Sequence, residues 1–400
     1  MSASLPSTFV RSVVTWAALA SAFALAPARA QTVVTFQTAG AAQRPTAANA
    51  TPTASVAANA IWLHDATARL VVGYSDNVLW SAQQSDGRGF AQSEIEALAW
   101  RSSPRKWEVS AMLSGEVRRY ASPLPDASGE QRWLARGEIA ARPYTPLRLA
   151  LVAQGFYQDQ VYDLSADRAE RFVAKLRVGG LQLVFQPRVT LPRGWDLEPI
   201  VQERVTDYFD FTEDYSEIRT GVRLRWRRET RWEASAAIYE QRRDYRDRVN
   251  HTIGGRPLAG TELRFDQSIA EARLAWNGRK HGLWQISSTF QHVANRDRGS
   301  GFFDYDQQRV RADVVWQNAR WEIELGASFA RYEYLAQTVG MGIAPPARTR
   351  DDVSTRASVE YTLTPRWRAL ARCEWDRSRT NELHASYHVT AVSAGIAWNH

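Results

Sequence analysis

Arginine and glutamate, set at every second position along run after run, are the side chains in this sequence with the most chemistry to offer. Arg132, Arg136 and Arg142 alternate with Ala, Gly and Ile, and Arg219, Arg223 and Arg225 share one face of IRTGVRLRW. Arg148, Lys175, Arg177, Arg309, Arg311, Arg356, Arg368 and Arg372 are assigned to the polar faces of their own runs. Arginine stays charged at any relevant pH and presents a planar fork of donors. A wall of such side chains can therefore bind or pass carboxylates, phosphates or anionic sugars. Glu94, Glu96, Glu108, Glu116, Glu138, Glu233, Glu271, Glu322, Glu324, Glu360 and Glu374 are assigned to the same face. The competing expectation is thus cross-strand Arg–Glu pairing that only stiffens a wall.

Other chemistries find less support. Hydrolysis needs a nucleophile, a base and an orienting group held together. Of the seven histidines only His292 and His388 fall in or near alternating runs, and Ser288, four residues before His292, shares its parity with the apolar Trp284, Ile286 and Phe290. No catalytic residue is assigned. Asp207, Asp210, Glu213 and Asp214, mixed with Tyr208, Phe209, Phe211 and Tyr215, offer oxygen ligands for Ca²⁺ but lack the glycine-turned loop of a defined calcium site, so a solvated acidic loop is expected. No metal or other cofactor is expected. The single cysteine, Cys373, can form no intramolecular disulfide and reads as a packed thiol beside Ala371 and Trp375. The formal charge of +7 is spread through the chain rather than clustered, which argues against nucleic acid as a partner.

The elements that position these charges are strands. Trp107, Val109, Ala111, Leu113, Gly115 and Val117 point one way while Glu108, Ser110, Ser114, Glu116 and Arg118 point the other, and the pattern recurs from about residue 68 to the end. These runs reach ten residues or more, as a tilted bilayer-spanning strand requires. No stretch after the leader approaches the ~18 apolar residues of a membrane helix, and mean hydropathy is −0.42. Short basic turns between two large aromatics recur, as in Trp226-Arg-Arg-Glu-Thr-Arg-Trp232. Trp100, Trp107, Trp226, Trp232, Trp276, Trp284, Trp316, Trp321, Trp367 and Trp398 are expected to form an interfacial aromatic girdle beside those turns. Turns centre near 103, 144, 187, 229, 280, 318 and 364. Longer connections fall near 82–89, 121–130, 159–168, 207–216, 241–262, 294–304, 335–350 and 377–386. The implied fold is all-β: a single transmembrane antiparallel up-and-down β-barrel over residues 61–400. Sixteen strands are counted, with 14 or 18 as alternatives because the prolines in 183–201 blur one hairpin.

Residues 1–30 have the form of a secretory signal peptide, with Arg11 before the apolar run Val13–Ala26 and a small-x-small site at Ala28-Arg29-Ala30. Residues 31–60, rich in Ala and Thr, read as a flexible periplasmic lead-in, with a short plug as the alternative. The ending Ser393, Gly395, Trp398 and His400 resembles the signal by which the barrel assembly machinery recognises outer-membrane proteins, although His400 stands where that signal usually has Phe or Trp. Gly73-Tyr-Ser-Asp-Asn77-Val78 is similar to the opening of putative β-barrel porins, several of which accompany capsule or exopolysaccharide export. The resemblance implies a Gram-negative outer-membrane barrel, in contact with lipid and lipopolysaccharide, and by analogy with sixteen-stranded porins a homotrimer.

Three functions follow in order: a porin-like channel passing small polar or anionic solutes, or exopolysaccharide, through an arginine-rich lumen; a non-conducting surface barrel whose loops bind polysaccharide, lipopolysaccharide or a partner; and an outer-membrane hydrolase. The long loop at 241–263 is expected either to contact lipopolysaccharide outside or to fold into the pore.

Overall fold

Period-2 alternation over sixteen runs leaves two solutions: sheets stacked face to face, or one sheet closed on itself with different surroundings on its two faces. A computed structural model gives the second. It describes residues 61–400 apart from 84, 103–106, 125–126, 145, 164–172, 211–212, 229–230, 280–281, 341 and 383–384. The leader and lead-in expected over residues 1–60 lie outside the described residues.

The first eight strands are β1 (Ile61–Ser75), β2 (Arg88–Ser102), β3 (Trp107–Leu124), β4 (Ala127–Tyr144), β5 (Leu147–Asp163), β6 (Val173–Leu191), β7 (Trp195–Tyr208) and β8 (Tyr215–Arg228). The second eight are β9 (Trp232–Tyr245), β10 (Arg264–Gly278), β11 (Leu283–Asp297), β12 (Tyr305–Gln317), β13 (Trp321–Thr338), β14 (Ala347–Thr362), β15 (Trp367–Thr380) and β16 (Tyr387–Asn399). Each pairs antiparallel with the strand before it, and β1 pairs with β16 to close the barrel. Closure is tight at that seam. A Cβ on Gly395 would stand 2.1 Å from the Leu70 carbonyl oxygen, and one on Gly73 would stand 2.4 Å from that of Val392, so both positions require glycine.

The count of sixteen holds, but one hairpin moves. The turn expected near 187 is at Pro192–Gly194, and β6 runs straight through Pro187. The register pairs Phe185 with Val201 and Val189 with Leu197, which sets Pro187 opposite Pro199. Neither has an N–H to give, so the ladder lapses there without ending the strand. The long connection also shrinks, because residues 241–245 belong to β9.

One face of the wall is largely apolar and exposed. Leu70, Leu151, Leu181, Ile238, Leu274 and Leu325 are each half or more accessible, while the opposite face holds charged side chains in contact with one another. That is the inverse of a water-soluble domain and suits an outer wall set in hydrocarbon. Indoles crowd the tight-turn end of this wall: Trp195 with Trp226, Trp232 with Trp276, Trp284 with Trp316 and Trp321 with Tyr361 have ring centroids 4.6–6.4 Å apart. Trp107 and Trp367 are outward and exposed, and Trp398 pairs with Trp367.

Trp100 departs from the girdle. It lies opposite Leu63 and Ser110, on the same parity of β2 as Glu94 and Glu96, and so faces inward. The outward indole at that corner is Trp62, with the Arg101 guanidinium 5.9 Å from its ring centroid. Cys373 is exposed on the outward parity of β15, an open thiol rather than a packed one.

Candidate functional site: the charged lumen

Inward placement of the arginines follows from strand parity, and their partners follow from register. Arg132, Arg136, Arg142, Arg219, Arg223, Arg225, Arg309, Arg311, Arg356, Arg368 and Arg372 all stand on the inner face. Most meet a carboxylate. Arg142 lies 2.8 Å from Glu108, Arg136 lies 3.3 Å from Glu138, and Arg148 reaches both acids at 3.3 and 2.7 Å. Asp313 takes Arg311 at 2.7 Å and Arg356 at 3.3 Å. Arg368 sits 3.1 Å from both Glu322 and Glu360, and Arg372 pairs with Glu94. Arg69 joins the last two groups, 3.4 Å from Glu360 and 3.7 Å from Glu94. Arg132 finds an amide instead, donating to Gln160 at 3.4 Å.

Two of the β8 trio, Arg223 and Arg225, are held with Arg188 of β6 by an acid that periodicity did not single out. Glu198 of β7 is fully buried and is approached by Arg188 at 2.7 Å, Arg225 at 3.2 Å and Arg223 at 3.8 Å, while Gln186 donates to it at 2.9 Å. Arg223 also reaches Glu271 at 3.4 Å, and Arg225 reaches Glu233 at 3.7 Å. Three arginines therefore meet three glutamates. Arg219 instead opens an amide relay: it donates to Gln241 (2.7 Å), Gln241 to Gln267 (2.6 Å), Gln267 to Asn295 (2.7 Å) and Asn295 to the Phe303 carbonyl (3.0 Å). The signal for Glu198 was present in its parity with Asp196 and Gln202, but the neighbouring Pro199 broke the reading of that strand.

Arg177 is not a lumen residue. Its parity on β6 is that of Leu181, Leu183 and Phe185, which point outward. It lies at the loop end of the barrel, where its Nε donates to Asp210 at 2.8 Å. Lys175 shares that outward parity and pairs with Asp159 at 2.9 Å.

The acidic loop and the long loop likewise resolve into separate contacts. Asp210 pairs with Arg177, Glu213 with Arg248 (3.0 Å) and Asp207 with Arg246 (3.6 Å), while Asp214 accepts from the Tyr208 backbone N–H (2.7 Å). The acids do not converge on one point. The hydrogen bond from Arg177 holds the Asp210 carboxyl below its usual range, whereas burial pushes Glu213 up against the pull of Arg248. His251 is pushed down by burial first and by Arg248 second. Its ring stacks on Phe302 at 5.6 Å and meets Phe303 edge-on at 4.9 Å. Arg248 lies 5.0 Å from the Phe303 ring and 5.4 Å from that of Tyr245, so the base of the 246–263 connection packs onto the inward aromatics Tyr215, Tyr245 and Phe265.

The first connection folds inward too. Asn77, Val78, Leu79 and Ser81 are buried, with Val78 and Leu79 against Phe90, Tyr120 and Val161. Asn77 fixes this shape. Its amide donates to the carbonyls of Ser81 (2.8 Å) and His388 (3.0 Å), and its oxygen accepts from the Ser81 N–H (3.0 Å). Thr390 N–H donates to Asp76 at 2.6 Å. The only hint in the sequence was an apolar Val-Leu-Trp run inside a polar connection.

Ser288 and His292 point outward beside Ile286 and Phe290, away from the lumen charges. In the closing strand Ser393 and Gly395 are inward and Trp398 outward, and the His400 ring stacks at 5.7 Å on both Trp398 and His64.

No family model and no curated protein sequence matches this chain. Solved structures similar in outline include OccAB1 of Acinetobacter baumannii, at 8% identity over 84% of this chain and 96% of that one, with a TM-score of 0.45. An anion-selective porin from Comamonas acidovorans gives 10% identity over 86% and 100%, TM-score 0.43. OccK1 (OpdK) of Pseudomonas aeruginosa gives 11% over 84% and 98%, TM-score 0.42.

Proposed function

We propose that the chain is an outer-membrane channel for small polar and anionic solutes, with the tight turns in the periplasm and the long connections outside. One observation carries this reading: a closed wall that is apolar and aromatic-belted on its outer face and lined with arginine, glutamate and amide side chains on its inner face. Lipid can cover the first surface and water the second. The inward arginines supply a fixed positive component to the lining at any pH, which supports a preference for anions. Lipopolysaccharide around the loop end and the barrel assembly machinery during insertion are the partners this reading requires.

A second reading has its own support. Most inward arginines are neutralised by glutamate or aspartate, and the 76–87 and 246–263 connections pack onto the inner face at one end. A non-conducting barrel that binds surface polysaccharide or lipopolysaccharide through its loops fits those facts. Single-channel recording of the refolded chain in a planar bilayer, with a salt gradient to give the reversal potential, separates the two. Stable unit steps with anion preference support the channel; a folded barrel that passes no current refutes it.

A further inference from the structure

Among the inward arginines, Arg273 of β10 and Arg309 of β12 stand apart. Within the described residues neither meets a carboxylate, a side-chain amide or an aromatic ring. The nearby acids are already engaged: Glu271 with Arg223 at 3.4 Å, and Asp313 with Arg311 and Arg356. Their neighbours on the wall are small or neutral. Arg273 lies opposite Ser235 on one side and Thr289 on the other, and Arg309 lies opposite Gln291 and Ala330. Thr289 and Gln291 share the inner face of β11 between the two arginines.

An unpaired guanidinium is costly out of water, so this part of the wall must be hydrated or occupied by an anion. Two strand spacings and two residues of rise put the two Cα atoms ~12 Å apart, a span that two extended guanidinium side chains can close around one small oxyanion. Each fork can hold two oxygens, and the Thr289 hydroxyl and Gln291 amide add neutral donors between them.

From this arrangement we infer a lumen binding station for small carboxylate or phosphate anions, formed by Arg273 and Arg309 with Thr289 and Gln291. It rests on the water-filled lumen of the proposed channel. The station differs in kind from the Arg223–Arg225 group, whose guanidinium groups already stand beside Glu198, Glu233 and Glu271.

The test is calorimetric titration of the folded full barrel in detergent at low ionic strength, with succinate and inorganic phosphate as separate probes and chloride as competitor. Saturable binding of either probe, weakened at least tenfold by Arg273→Gln with Arg309→Gln and unchanged by Arg331→Ala on the outer face, supports the station. Binding of succinate alone or of phosphate alone identifies the oxyanion. The pair Arg273→Lys with Arg309→Lys keeps the charge and loses the forks, and should bind several-fold more weakly than the native chain. Heat-modifiable gel mobility confirms that each variant is folded. Absence of binding to the native barrel, equal binding by the glutamine pair, or equal displacement by chloride at the same concentration overturns the station. Conductance measured on the same preparations keeps the two ideas separable: a conducting barrel without binding loses the station alone, and a binding barrel without conductance loses the channel alone.

Discussion

Glutamine at position 198 should destabilise the barrel more than any other single charge removal in the lumen. The Glu198 carboxylate is fully buried and has three guanidinium groups within 3.8 Å. After Glu198→Gln, Arg223 keeps Glu271 and Arg225 keeps Glu233, but Arg188 keeps no carboxylate partner among the described residues. Removing one member of a buried pair costs about 3–5 kcal/mol. The Arg188 side chain is 23% exposed, which favours the lower end, so the expected loss is ~3 kcal/mol, over a hundredfold in the folding equilibrium. Urea titration of the chain folded into phosphatidylcholine vesicles, followed by tryptophan fluorescence and by gel mobility, measures it. Adding Arg188→Gln should recover at least ~1.5 kcal/mol, because the stranded charge is then gone. A single-variant loss under about 1 kcal/mol, or a double variant as damaged as the sum of the singles, would refute the claim that this carboxylate anchors the group. By the same logic Arg223→Ala or Arg225→Ala alone should cost less than Glu198→Gln, because Glu198 keeps Arg188 and one further guanidinium in either variant.

Three further outcomes are expected. Leu325→Arg or Ala369→Arg places a charge on the lipid-facing wall, at about 2–4 kcal/mol near mid-bilayer, and should abolish the heat-modifiable folded band; normal folding of both would contradict the face assignment. Asn77→Ala removes three hydrogen bonds from the inward 76–87 connection, which should become protease-sensitive and raise unit conductance; unchanged conductance with a resistant connection would mean that it does not narrow the lumen. Asp210 titrates below its ordinary value because of Arg177. Its contribution is therefore complete above about pH 4, the usual aspartate pKa, and is lost as pH falls through the lowered value. Amide protection at Tyr208 and Phe209, taken relative to the intrinsic exchange rate, should fall on acidification, and Asp210→Asn should show that lower protection already at neutral pH.

Which face a residue occupies was legible in the sequence because a barrel wall separates two media, and each strand carries that contrast at period 2. The strand count followed from turn spacing. Errors arose where the contrast weakens. Arg177 shares its parity with Leu181, Leu183 and Phe185, but at the loop end of the wall a charge can point outward at little cost, so its type misled where its parity did not. Trp100 was placed by residue type and turn proximity, against its parity with Glu94 and Glu96. The turn at 192–194 was hidden by Pro187, which a strand tolerates where its neighbour, Pro199, also makes no ladder bond.

Pairing within the lumen lay beyond reach for a different reason. Periodicity states that Arg372 and Glu94 both face inward, but their contact spans 278 residues and exists only because β16 closes onto β1 and brings β15 near β2. Arg223 and Glu271 meet across 48 residues and an intervening strand. Whether an inward arginine is neutralised or free is thus a property of closure, shear and the side chains two strands away, none of which is written in a local run. Electrostatic character in such a barrel is set by the positions where pairing fails. A list of inward arginines ranks Arg219, Arg223 and Arg225 first because they cluster, yet closure gives those three an acid or an amide each. Among the described inward arginines it leaves Arg273 and Arg309 without a side-chain partner, although Arg309 stands only two residues from the paired Arg311 on the same face.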